Sequence, residues 1–118
     1  SGMRLVADLT GANLSEAKLQ KTDFGQSILD RADLTRANLR GADFFEVSLR
    51  NAHLAYADLR EAKTAFGMFN GADLSFADLR GADMRGYIKA ANLHGAMYDQ
   101  STWWPDGFDP IAAGARRV

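Results

Sequence analysis

The chain has no cysteine, two prolines among 118 residues, and no apolar run long enough to cross a membrane as a helix. Without cysteine there can be no disulfide and no thiolate metal site, and redox chemistry says nothing about compartment. No leader-like segment is visible, so a cytoplasmic location is the default expectation. Ser1-Gly2, ahead of Met3, reads as a cloning remnant and is set aside. Neither sign of charge is in excess: 14 basic and 15 acidic residues leave a net charge of −1. This balance argues against a partner held by bulk electrostatics, such as nucleic acid or a charged membrane. No Ser–His–acid constellation, glycine-rich phosphate loop or Cys/His cluster is present. Both prolines and both tryptophans fall in residues 103–110, so the rest of the chain lacks both.

What the chain does have is a five-residue period. Residues 72–86 read ADLSF ADLRG ADMRG, a small residue, an acid, then a large apolar centre. Stepping by five from Leu9 to Met84 gives sixteen centres, and all but Thr64 are large and apolar, so the register holds throughout. Two residues before the centre stands alanine in twelve of sixteen blocks, and just before it Asp or Asn in ten, which fixes the block as small–polar–large. No helix accommodates this. A step of five residues turns a helix by about 140° beyond a full turn, which smears the centres around the cylinder. Ala–Asp–Leu is instead in–out–in, the alternation of a very short strand. The two residues that follow suit a turn, and strand–corner repetition winds into a solenoid.

The consensus A-[D/N]-L-x-x over residues 7–99 resembles that of the pentapeptide repeat proteins, many of them cyanobacterial. The resemblance implies an all-β fold, a right-handed quadrilateral β-helix with four blocks per coil. On that basis the expected core stacks are Leu9, Leu29, Leu49 and Phe69 on a first wall and Leu14, Leu34, Leu54 and Leu74 on a second. Leu19, Leu39, Leu59 and Leu79 would line a third, and Phe24, Phe44, Thr64 and Met84 a fourth. Both early phenylalanine centres fall on one wall, which favours the same coil length independently. Alanine beside each centre keeps a narrow interior from overpacking, and Gly67 compensates for Phe69.

Three regions are expected: a lead-in over 1–6, the β-helix over 7–100 with about five coils, and a cap and tail over 101–118. At roughly 4.8 Å per stacked strand the rod would be about 24 Å long. Leu5 and Val6 are the apolar candidates to close the first coil. At 64–69 two arrangements are open: a bulge turning Phe66 inward, or a small cavity beside Thr64 with Phe66 exposed. The second is favoured, because the register resumes at Phe69 without an insertion. One residue is missing between Met84 and Leu93, where Ile88 is expected to supply the core contact. The repeat is expected to stop at Ser101, with Trp103, Trp104 and Phe108 folding over the open end and residues 111–118 mobile.

No cofactor, no catalytic residue and no metal is expected. The Asp and Asn residues before the centres suit hydrogen bonds to turn backbone. His53, between Asp33 and Asp73 in an outward column, is the one candidate metal set, and a solvated ladder is the preferred reading of it. Arg40, Arg60 and Arg80 form a column beside acids, read as an ion-paired surface and kept as candidate interface residues. Phe45 with Phe66, and Tyr56 with Phe76, are candidate interface aromatics. A regular rod offers no enclosed pocket for catalysis. The expected function is a non-enzymatic module presenting flat side-chain ladders to a protein partner, with homodimerisation through a rod end as a further option. The alternative, implied by some members of the family, is DNA mimicry that modulates or protects a topoisomerase such as DNA gyrase.

Overall fold

A computed structural model describes residues 6–118. Backbone pairing links residues twenty apart, all in parallel: Asp8 with Ile28, Asn13 with Asp33, Lys18 with Asn38, Asp23 with Asp43, and so on up the chain. Four such columns follow one another in sequence, one per block, and each coil lies on the last. Among the described residues only two segments are long enough to be strands, β1 (Met97–Tyr98) and β2 (Arg116–Arg117). The principal extents are 34 × 26 × 24 Å, the longest exceeding the length expected from the repeats alone.

From Leu9 to Ala82 each corner is a type II turn. The carbonyl of the centre accepts the amide three residues on, as at Leu9 and Ala12 (2.9 Å), and the residue after next has φ between +56° and +73°. Glycine holds that left-handed position at 11, 41, 71 and 81. Eleven other residues hold it without being glycine, including Arg31, Tyr56, Phe66 and Phe76. Such a residue pays a conformational penalty of about 1–2 kcal/mol, and coil closure imposes it regardless of side chain. The polar residue before the centre relieves part of this cost. Asp33 Oδ1 accepts the Thr35 amide at 3.0 Å, and Asn38, Asp43, Asp58, Asp73, Asp78 and Asp83 do the same two residues on.

Inside, Leu29, Leu49, Phe69, Phe24, Phe44, Met84, Leu39, Leu59 and Leu79 are fully buried, and the Phe24 and Phe44 rings stack at 5.3 Å. Leu9, Leu14 and Leu19 are only half-buried, since they line the first coil. Val6 is 64% exposed and does not close that coil; Leu5 lies outside the described residues. Thr64 points inward, its hydroxyl donating to the Asp83 carbonyl and touching Met84 Sδ at 3.5 Å. Phe66 points outward, and no bulge forms. Gly67 is buried, and a Cβ there would come within 3.1 Å of the Phe69 ring.

Beyond Met84 the coil is one residue short, as the spacing to Leu93 implied, and Ile88 is buried at the core position. The amide of Phe69 donates to Tyr87, Leu74 to Asn92 and Leu79 to Met97, each one residue short of the regular step. Gly86 sits at the contraction, where a Cβ would lie 2.6 Å from the Gly67 carbonyl oxygen. An extra residue at 99–101 then restores the step, so that Met84 donates to Trp103 and Asp83 pairs with Trp103. The stacking therefore does not stop at Ser101. Thr102 takes the small inward position, where its hydroxyl donates to the Leu79 carbonyl, and Trp104 takes the centre. Nor is the tail loose: β2 pairs in parallel with β1, and Ala115 is buried.

Candidate interaction surface

The outward columns decide what the protein shows to its surroundings. On the second wall the order is Asn13, Asp33, His53, Asp73, Asn92. His53 does stand between two carboxylates, but both are turned to their own corners. Asp33 accepts from Thr35 and Asp73 from Ser75, and the Thr35 hydrogen bonds, ahead of the His53 charge, hold the Asp33 pKa below its ordinary value. Among the described residues no group of three His, Asp or Glu is arranged to hold a metal ion.

The third wall carries the arginines, and each has an acid. Arg60 grips Asp58 in bidentate fashion at 2.9 and 2.7 Å and reaches Asp78 at 3.7 Å; Arg80 grips Asp78 at 2.9 and 2.6 Å. Arg40 pairs with Glu61 at 2.9 Å. The Arg60 hydrogen bond is the main reason the Asp58 carboxyl is held low. These are surface pairs, which add little stability singly but leave no free row of cations.

The aromatics gather at two corners. After the second wall, Arg36 covers Tyr56 at 4.5 Å, Tyr56 stacks on Phe76 at 5.1 Å, and His94 meets Phe76 edge-on at 5.5 Å. Gly95 completes this column because the Phe76 ring lies 2.5 Å from where its Cβ would be. At the corner after the fourth wall, Phe45 and Phe66 meet edge-on at 5.7 Å. Two residues that sequence reasoning did not assign to a surface join them. Tyr87 ends the first-wall column Asp8, Ile28, Ser48, Met68, and is 62% exposed. Trp103 ends the fourth-wall column Asp23, Asp43, Lys63, Asp83.

Trp103 thus corrects the expected cap. It is 58% exposed, faces outward, and carries the Arg85 guanidinium over its ring at 4.4 Å. The outward place in a bridging column leaves it no route across the rod end. Trp104 and Phe108 are half-buried, stacked at 5.2 Å, with Tyr98 edge-on to Trp104 at 5.5 Å. The signal that could have exposed the difference is arithmetic: Trp103 lies twenty residues after Asp83.

The walls are not without concavity. A recess of about 580 Å³ opens between Phe66, Tyr87, Pro105 and Asp106, floored by Gly86. A second, of about 620 Å³, lies on the far side of Tyr87 and reaches Ile88, Lys89, Phe108 and Asp109. Gly86, where the coil is one residue short, lines both together with Pro105 and Asp106. Among the described residues no helix is long and apolar enough to span a membrane.

A profile of the Pentapeptide repeats family matches residues 7–45, 42–63 and 67–86 in eight copies. Among solved structures the chain is similar to Rfr23, a pentapeptide repeat protein from the cyanobacterium Cyanothece 51142, at 29% identity and a TM-score of 0.52. That match covers 75% of this chain and 64% of Rfr23, so the chain spans less than two thirds of that relative. It is also similar to alr5209, a pentapeptide repeat protein from Nostoc Pcc 7120, at 37% identity over 94% of this chain and 84% of that one, with a TM-score of 0.41. QnrB1, a plasmid-mediated fluoroquinolone resistance protein, matches at 17% identity over 94% and 77% of the two chains, with a TM-score of 0.43. No curated protein sequence matches the chain. With the family profile covering most of the chain, and the twenty-residue bridging and alanine–acid–leucine blocks in agreement with it, the chain belongs to the pentapeptide repeat family, whose fold is the right-handed quadrilateral β-helix.

Proposed function

We propose that this is a non-enzymatic interaction module whose working face is the corner formed by Phe45, Phe66, Tyr87 and Trp103. The observation that carries the reading is their convergence. Four large aromatics, between 39% and 62% exposed, flank the corner between the fourth and first walls, Phe45 meeting Phe66 edge-on and Phe66 and Tyr87 lining a recess. Exposed aromatics clustered around a concavity mark interfaces, whereas scattered ones do not. The rigid backbone fixes their spacing in advance, so a partner meets a preformed surface. Within the same proposal Trp104 and Phe108 close the carboxyl-terminal end of about five repeat coils. The partner is a protein. Homodimerisation through a rod end is tested by light scattering coupled to size exclusion, where mass rising with concentration would support it.

DNA mimicry draws less support from this surface. Asp58 and Asp78 on the third wall and Asp83 on the fourth are each gripped by an arginine, and Lys63 stands between Asp43 and Asp83, so the acids do not form an uninterrupted anionic row. The decisive test of the interaction face is photo-cross-linking with p-benzoylphenylalanine at position 66, against the same group at position 53, in extract of the source cells. A discrete adduct from position 66 alone is expected. Equal labelling from both positions, or none from 66, would overturn the assignment.

A further inference from the structure

The recess beside Phe66 has a chemistry of its own. Its walls are the Phe66 and Tyr87 rings and Pro105, its floor is Gly86, and two charged residues border it, Arg85 and Asp106. Arg85 is already engaged. Its Nε and Nη2 grip Asp83 at 2.9 and 2.8 Å, and its guanidinium carbon lies over Trp103 at 4.4 Å. Asp106 feels the Arg85 charge but is outside that salt bridge, and it is exposed at the recess mouth. The recess therefore presents two aromatic walls and one carboxylate that is not in an ion pair.

An anionic ligand would meet Asp106 while the neighbouring cation is neutralised by Asp83, so phosphate and acidic peptides are disfavoured. A wholly apolar ligand would strip water from Asp106 without replacing its hydrogen bonds. A cationic side chain with an apolar stem satisfies both features. Aromatic faces attract cations, and a planar guanidinium also stacks on them and bonds a carboxylate through two nitrogens.

We propose that this recess receives an arginine side chain of the protein partner, its stem against Phe66 and Tyr87 and its guanidinium on Asp106. The proposal deepens the interaction reading above and rests on it. A volume of about 580 Å³ exceeds one side chain, so the arginine enters with the extended backbone on either side of it. Specificity follows from the geometry: lysine keeps the charge but loses stacking and the second nitrogen, and so binds more weakly.

The test is a titration of the isotope-labelled full chain with Nα-acetyl-arginine methylamide, followed through backbone amide shifts. Matched titrations use the leucine, lysine and glutamate analogues. Saturable shifts centred on Gly86, Tyr87 and Asp106 are expected for the arginine probe, weaker ones for lysine, and none for glutamate. Asp106→Asn, isosteric and exposed, should weaken arginine binding by about tenfold, the scale of one charge-assisted hydrogen bond. Phe66→Ala should weaken it as well. Equal binding of the leucine analogue, an unchanged affinity in Asp106→Asn, or no saturable shift would overturn the proposal. The cross-link from position 66 is then repeated in Asp106→Asn: if the adduct persists while arginine fails to bind, the interaction face stands and only the arginine assignment falls. If both fail, the face itself is wrong.

Discussion

Truncating one leucine at a time along the second wall measures how the solenoid distributes its stability. Leu34, Leu54 and Leu74 are fully buried in one stack, whereas Leu14, at its foot, is half-buried. The chemistry of Leu→Ala is the same at each place, so burial and the ability to collapse decide the cost. Leu54 has little room to relax. Its amide donates to Asp73 at 2.7 Å, its carbonyl accepts from Ala57 at 3.1 Å, and the coils on both sides are held by the same ladder. A cavity there stays open, which puts Leu54→Ala at about 3–5 kcal/mol, toward the upper end for buried leucines. At Leu14 part of the side chain already meets water and no coil among the described residues lies beneath it, so about 1–2 kcal/mol is expected. Small domains have about 5–15 kcal/mol in total, so the difference is easily read. Urea unfolding followed by circular dichroism supplies the midpoints, with the slope checked for constancy. A Leu14→Ala cost equal to that of Leu54→Ala, or a Leu54→Ala cost below about 1 kcal/mol, would refute the packing described.

Other outcomes follow from the same geometry. Leu39→Arg places an unpaired charge in the middle of the third stack and should abolish the cooperative melt; retained ellipticity and melting would contradict the burial of Leu39. The corner strain predicts opposite signs: Arg31→Gly, at φ 59°, should stabilise by up to about 1 kcal/mol, while Gly95→Ala should destabilise by at least that much, because φ is +69° and Phe76 occupies the space. Calorimetric melting of the pair checks both signs. Acid should destabilise the fold. Asp58 and Asp83 are held low first by the arginine hydrogen bonds, and Asp33 by Thr35, so their contribution is complete above the unfolded value of 3.8 and is lost as pH falls through the depressed folded values. A melting temperature that is flat from neutral pH down to about pH 2 would contradict this. Finally, a DNA gyrase supercoiling assay should show no inhibition; clear inhibition would restore the DNA-mimic alternative.

The regular part of this fold was legible because the physics is local and repeated. An alanine, a short acid and a leucine state in three residues what points inward, what bonds the turn and what fills the core. Phe24 and Phe44, twenty residues apart, revealed the coil length, and their rings do stack. The left-handed corners were not legible. Arg31, Tyr56 and Phe66 have no preference for positive φ, and they adopt it because closure of the coil requires it. Nor was the carboxyl-terminal end. The one-residue loss before Leu93 could be read, but not the gain at 99–101 that compensates it, because Thr102–Trp103–Trp104 does not resemble Ala–Asp–Leu in composition. Composition suggested a cap, whereas register placed Trp103 on the surface. The candidate face was therefore half visible: Phe45 and Phe66 from their corner, but neither Tyr87 nor Trp103.

Everything proposed for that face depends on the compensated slip: the loss at Gly86 turns Tyr87 outward beside Phe66, and the gain at 99–101 keeps Trp103 outward in its twenty-residue step from Asp83. Cross-hydrogen-bond scalar couplings between amide nitrogen and carbonyl carbon report the register directly. Couplings from Phe69 to Tyr87, Leu74 to Asn92, Leu79 to Met97 and Met84 to Trp103 are predicted. A coupling from Phe69 to Ile88 instead would mean an unbroken register, with Tyr87 turned inward and no aromatic corner to act upon.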